Sequence, residues 1–251
     1  MLRNASSING YAIAASDGCI GTVSDFLFDD AGWSVRWLVV ETGTWLSHRK
    51  VLLPPAVLGR LYPEGEEFTV QLTMKQVKDS PDIDSDRPVS RQFETNLYNY
   101  YGWSPYWSGG FYMGGIDALD SAAMASVSAL NEQREENDDP HLRSIHAVTG
   151  YHIHADDGEV GHVEDFLIDD SDWNIHYLLV DTQNWWPGKK VLISPRSVAD
   201  IDWADRRVNL NVPRLRVKNS PAYDASITID QTYEKDFHKY YYSEVRPSDH
   251  L

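Results

Sequence analysis

GCIGTVSDFLFD (Gly18–Asp29) decides the fold, because the chain writes it twice: GEVGHVEDFLID occupies Gly158–Asp169, 140 residues further on. Each stretch is rich in β-branched and aromatic residues and carries an inner glycine, Gly21 or Gly161. That composition suits a strand rather than a helix. Just upstream, Asp17-Gly18 and Asp157-Gly158 are hairpin signals, since glycine takes turn conformations without steric cost. Downstream, Asp29-Asp30 and Asp169-Asp170 give a polar turn before Trp33 and Trp173. Next come VRWLVVET (Val35–Thr42) and IHYLLVDT (Ile175–Thr182), which read as buried strands.

Working outward, the same offset holds without a gap from Gly10–Tyr101 to Gly150–Tyr241, with about 30 identical positions. Val51–Leu53 and Val191–Ile193 are further short strands, stopped by Pro54-Pro55 and Pro195. Phe68, Val70 and Leu72 alternate with polar residues, as do Val208, Leu210 and Val212, so one face points inward. Met74–Lys78 and Arg214–Lys218 fit one turn of helix ending before Ser-Pro. Ser90–Tyr101 and Asp230–Tyr241 fit longer terminal helices whose aromatic residues are spaced to pack on a sheet.

Five or six short strands per copy predict a mainly β chain of two tandem small barrels, each with a short C-terminal helical segment. The expected division is residues 1–103 for the first repeat, 104–143 for an aromatic then acidic linker, and 144–251 for the second repeat. Each repeat is expected to bury its own core, with an interface between the two left open. The linker's Ala/Ser-rich part fits a short helix over 118–136. Duplication also predicts a pseudo-two-fold pair, one chain imitating a dimer of barrels.

The run Gly18-x-x-Gly21-x-Val23-x-Asp25-Phe26-Leu27-x-Asp29, with Trp33 and Leu38-Val39-Val40, resembles the PRC-barrel family. Gly158–Asp169 and Leu178–Val180 repeat the pattern, and NWWPGKKVL (Asn184–Leu192) is similar to stand-alone bacterial members. The resemblance covers both repeats. It implies the barrel fold of the photosynthetic reaction-centre H-subunit cytoplasmic domain and of the ribosome maturation factor C-terminal barrel. Neither the membrane helix of the first nor the RNA-processing-factor domain of the second accompanies it here. What the resemblance implies in common is a barrel that docks other proteins without chemistry of its own.

Composition narrows the partners. Asp plus Glu is 38 against 22 Lys plus Arg, a formal charge of −16, which repels phosphate backbones and anionic lipid. No nucleic-acid partner and no membrane insertion are expected, because no long apolar run is present. The one cysteine, Cys19, allows no internal disulfide or thiolate zinc site. With no secretory leader pattern at Met1–Gly10, the sequence reads as cytoplasmic. The expected partner is another protein, and a homodimer is compatible with the repeat.

No phosphate loop, nucleophile elbow or zinc-protease motif occurs. The sequence therefore reads as non-catalytic and without cofactors. Asp25, Asp29, Asp30 and Asp165, Asp169, Asp170 offer oxygen ligands for a hard cation, but their spacing is not that of an EF-hand loop, and turn-forming carboxylates are the preferred reading. His152, His154, His162 and His176 occur only in the second copy; the first has Ala12, Ala14, Thr22 and Arg36 there. His152 and His154 share a strand face, so with His162 they form a candidate zinc or nickel site. Imidazoles on a solvated face are the plainer reading. The most unusual segment is YNYYGWSPYWSGGFY (Tyr98–Tyr112). Its Tyr101, Trp103, Tyr106, Trp107, Phe111 and Tyr112 are candidates either for docking a partner or for covering the first barrel or filling the gap between barrels. A deep pocket with converging polar groups would instead favour a small-ligand sensor, or an enzyme site between the repeats.

Overall fold

The computed structural model describes residues 1–62, 66–81, 89, 91–108, 142–182, 189–224, 229 and 231–242. The first copy supplies β1 (Leu2–Asn4), β2 (Ala12–Ala15), β3 (Gly18–Asp29), β4 (Ser34–Glu41), β5 (Lys50–Leu53), β6 (Leu58–Tyr62) and β7 (Glu67–Val70). The second supplies β8 (Leu142–Ser144), β9 (His152–Ala155), β10 (Gly158–Asp169), β11 (Ile175–Asp181), β12 (Lys190–Ile193), β13 (Val198–Asp202) and β14 (Arg207–Leu210). They form two curled seven-stranded sheets, each a half-barrel, so the mainly β tandem architecture stands. The expected linker helix over 118–136 lies outside the described residues.

The long strand of each copy bends where the sequence placed an inner glycine. A Cβ on Gly21 would lie 1.9 Å from the Glu41 carbonyl oxygen, and one on Gly161 would lie 2.1 Å from that of Asp181. Only glycine lets the backbones approach so closely beside the bulge. The short helix Met74–Lys78 starts with a capping box between Thr73 and Gln76 and stops before Ser80-Pro81. The longer helices Arg91–Tyr101 and Gln231–Tyr242 cover the outer sheet faces. Leu97 and Tyr98 pack on Trp37, Val39 and Leu52, while Phe237 and Tyr241 pack on Tyr177, Leu179 and Leu192.

The sheets do not follow the order of the chain. Within a copy the strand order is β5-β4-β3-β2-β7-β6, but the opening strand of each copy belongs to the other sheet. β1 runs antiparallel to β10, with Leu2 opposite Asp169, and β8 runs antiparallel to β3, with Leu142 opposite Asp29. The turns Trp33 and Trp173, both at positive φ (52° and 59°), face each other. Val35 donates its N–H to the Trp173 carbonyl at 2.9 Å, and Ile175 donates to that of Trp33 at 2.8 Å. The reciprocity is the signature of a two-fold contact within one chain.

This exchange corrects the expectation of two separate cores. Buried residues of both copies form one continuous cluster, from Ile8, Phe26 and Phe28 to Phe166, Ile168 and Val217. Phe28 and Phe166 meet with ring centroids 5.7 Å apart, and Phe26 and Trp173 at 6.3 Å. The physical reason is that a half-barrel leaves its concave apolar face open, and the other copy closes it.

Candidate functional site

The exchanged strands are held by matching polar clasps. Arg3 Nε donates to Asp170 at 2.7 Å, and Arg143 Nε to Asp30 at 2.7 Å. Asp165, buried, accepts from the Ser6 hydroxyl (2.5 Å), the Ser6 N–H (3.2 Å) and the Phe166 N–H (2.8 Å). Asp25 accepts from the Ser144 hydroxyl (2.5 Å), the His146 N–H (3.0 Å) and the Phe26 N–H (2.7 Å). Asp29 closes its own turn through the Ala31 and Gly32 N–H groups and pairs with Arg36 at 3.0 Å. Burial pulls its carboxyl upward, but those bonds outweigh burial and hold it below the usual range. Asp169 behaves likewise: burial is overcome by Ser171 and the Met1 ammonium, which bring it to about 2. The six aspartates flagged by sequence are thus each engaged in turns or clasps. The sequence carries a partial signal: Leu2-Arg3 and Leu142-Arg143 continue the same 140-residue offset upstream of Gly10, which marks both opening strands as part of the repeat but not their pairing.

The histidines sit on one sheet. His152 stands opposite His162 across β9 and β10, and His154 opposite Glu159. His152 is exposed and lies 2.8 Å from Glu159; His162 Nε2 lies 4.0 Å from Asp181. His176 is on the neighbouring β11, beside Tyr177. Among the described residues, no three His, Cys, Asp or Glu side chains gather as a metal-holding group.

The aromatic segment lies against the first copy. Glu94, wholly buried under the helix, accepts the Trp37 indole N–H at 2.7 Å and the Tyr106 O–H at 3.3 Å. Arg91 lies 3.4 Å from the same carboxylate and caps Trp107, 4.1 Å from its ring centroid. Arg36 lies 4.1 Å over the Tyr106 ring, and Tyr101 stacks on Trp103 at 4.0 Å. Burial, then the Glu94 charge, pushes the Tyr98 phenol up to about 12 and Tyr106 up as well. Trp107 remains partly exposed. Phe111 and Tyr112 lie outside the described residues, as do Asn184 to Gly188 of the second-copy motif.

Beside this segment opens a cleft of about 1210 Å³. Its walls include Leu58 and Gly59 of β6, Phe68, Trp103, Tyr106 and, from the other copy, Trp173. The second copy has a matching cleft along β13, between Val198–Ile201 and the turn at Asp30–Trp33, of only about 410 Å³. There Trp203 packs edge-on against Tyr151 at 5.7 Å, and Arg143 lies 4.6 Å over the indole. Pro63 occupies the position matching Trp203 in the first copy. Sequence reading did not find either cleft, because neither β6 nor β13 carries the alternation that marks a half-buried strand.

Among the described residues no helix is long and apolar enough to cross a membrane. The chain is similar over 73 residues, at 36% identity, to an uncharacterized protein of Deinococcus radiodurans. That match covers 29% of this chain and 26% of the relative, so the chain spans about a quarter of the relative's length. The model of the PRC-barrel domain matches residues 2–68 and again 145–217. The chain, with its two exchanged half-barrels and the bulge glycines Gly21 and Gly161, belongs to the PRC-barrel domain family.

Proposed function

We propose that this chain is a non-catalytic docking module of the cytoplasm that binds another protein through the first-copy cleft. The observation that carries this reading is the inequality of two clefts built on one framework, about 1210 Å³ against about 410 Å³. A duplicated scaffold gives equal grooves unless one copy has changed, and here the changed copy is lined by aromatic rings. Aromatic side chains bury large areas at low entropy cost and anchor interfaces.

The polar groups nearest the first-copy cleft and the clasps are tied up in structural bonds, which supports a binding role. Arg36 in the cleft is engaged by Asp29 and Tyr106. The axial carboxylates Asp25 and Asp165 are taken up by backbone and serine donors. The chain's charge of −16 argues against nucleic acid as the partner.

The test is a photo-reactive amino acid placed at Leu58 in one preparation and at Val198 in another, in the native cell. Cross-linking to a distinct protein from Leu58, and not from Val198, is the expected outcome. Equal labelling from both sites, or none from Leu58, removes the reading.

A further inference from the structure

Resting on the first-copy cleft as the docking surface, we infer that its occupant is an extended segment of a partner protein, added as a strand along β6, with a lysine or arginine facing the acidic turn Asp170–Asp172. β6 ends the strand order of its sheet, and among the described residues it pairs with β7 alone. Its outer backbone edge therefore presents hydrogen-bonding groups that an extended main chain satisfies.

The second copy shows how this chain protects such an edge. β13 reads Val198-Ala199-Asp200-Ile201-Asp202, whereas β6 reads Leu58-Gly59-Arg60-Leu61-Tyr62. Two carboxylates on β13 discourage strand addition; β6 carries a single charge, Arg60, and no carboxylate. The small cleft lies beside the protected edge and the large cleft beside the open one. A lightly charged edge next to an open trough suits strand addition: main-chain bonds supply affinity, and alternate side chains enter the trough.

Charge selects the segment. Asp170 and Asp172 line the cleft. Asp170 is matched by Arg3, while Asp172 bonds only to its neighbour Asn174 among the hydrogen bonds described. Arg36, the cation of the cleft, is matched by Asp29. Among the described lining residues Asp172 leaves negative charge at the rim, on a chain that is itself acidic, so a cationic segment is attracted and an anionic one repelled.

The test uses the full chain and two labelled ten-residue valine–threonine peptides, one flanked by lysines and one by glutamates. Fluorescence anisotropy gives affinity, and amide hydrogen exchange reports residues 58–62 and 198–202. The lysine-flanked peptide is expected to bind about tenfold tighter, in a salt-sensitive way, and to slow exchange at 58–62 only. Asp172→Asn is expected to shrink the difference to about threefold, since a rim charge contributes modestly. Equal affinity for the two peptides, or protection at 198–202, overturns the inference. Slowed exchange at 58–62 that grows with protein concentration alone assigns the edge to a second copy of this chain and also overturns it. If neither peptide binds while Leu58 still cross-links a protein, strand addition fails and the docking reading stands. If both fail, both fall.

Discussion

The two copies share their turns, bulges and inward-facing strands, yet differ in what covers those strands. Trp37 of the first copy, bonded to buried Glu94, corresponds to Tyr177 of the second, and Arg36 to His176. The first copy leaves a broad cleft beside β6; the second has a smaller one beside β13, walled in part by Arg143, which lies over the Trp203 indole. The lesson is that exchange of opening strands ties the two halves into one folding unit, while their outer faces stay free to diverge. Residues across the pseudo-two-fold must match each other to close the core. Residues on the far faces answer only to their own surroundings.

The strongest way to break this comparison is to test whether the halves are energetically one. Phe28 is wholly buried and touches Trp33 of its own copy and Phe166 of the other. Phe28→Ala is expected to cost about 4 kcal/mol, through lost transfer energy and the cavity left behind. Its counterpart Ile168→Ala should cost about 3 kcal/mol. Both variants should still unfold in one calorimetric transition, at a lower temperature than the parent. Two separated transitions, with only one displaced, would show that the copies keep independent cores.

A smaller effect sharpens the symmetry of the clasps. Asp165→Ala removes the acceptor for two N–H groups and a hydroxyl in a buried site. The expected loss is about 3 kcal/mol, since unsatisfied donors near the core carry their full desolvation cost. Asp25 makes the matching set of bonds but is only half-buried, so Asp25→Ala should cost about 1 kcal/mol less. Urea titrations of the two variants compare them directly. A larger loss at Asp25 would reverse the ranking by burial.

Much of this architecture was legible in the chain. The offset of 140 residues, the hairpin signals at Gly18 and Gly158, and the terminal helices all reappear, because each rests on local pattern. The strand exchange was not legible. β1 and β8 are three residues long, too short for periodicity, and pairing partners so distant in sequence leave no local trace. The shared core followed from that omission. The aromatic run from Tyr98 announced itself by composition, but whether such rings face inward depends on Arg36, Glu94 and Arg91, which only tertiary structure brings beneath them. The clefts gain meaning only once β6 and β13 are placed beside the turns of the other copy.

The smallest expected effect compares the two turn carboxylates. Asp29 and Asp169 are both held below the usual carboxylate range, the latter at about 2. A carboxyl whose folded value lies below its unfolded value stabilises the protein above the unfolded value, near 3.8, and loses that contribution as pH falls through the folded one. The acid limb of stability between about pH 4 and pH 2 therefore contains a share from each turn. Asp29→Asn and Asp169→Asn should each flatten that limb while lowering the melting temperature at pH 7, where the ionised carboxylates act. For Asp169→Asn the flattening should extend down to about pH 2, where the parent carboxylate takes up its proton. Melting curves at half-unit pH steps measure it. Equal acid limbs in parent and variants would mean that these aspartates serve by turn geometry alone, and that the electrostatic match between the two turns carries no stability.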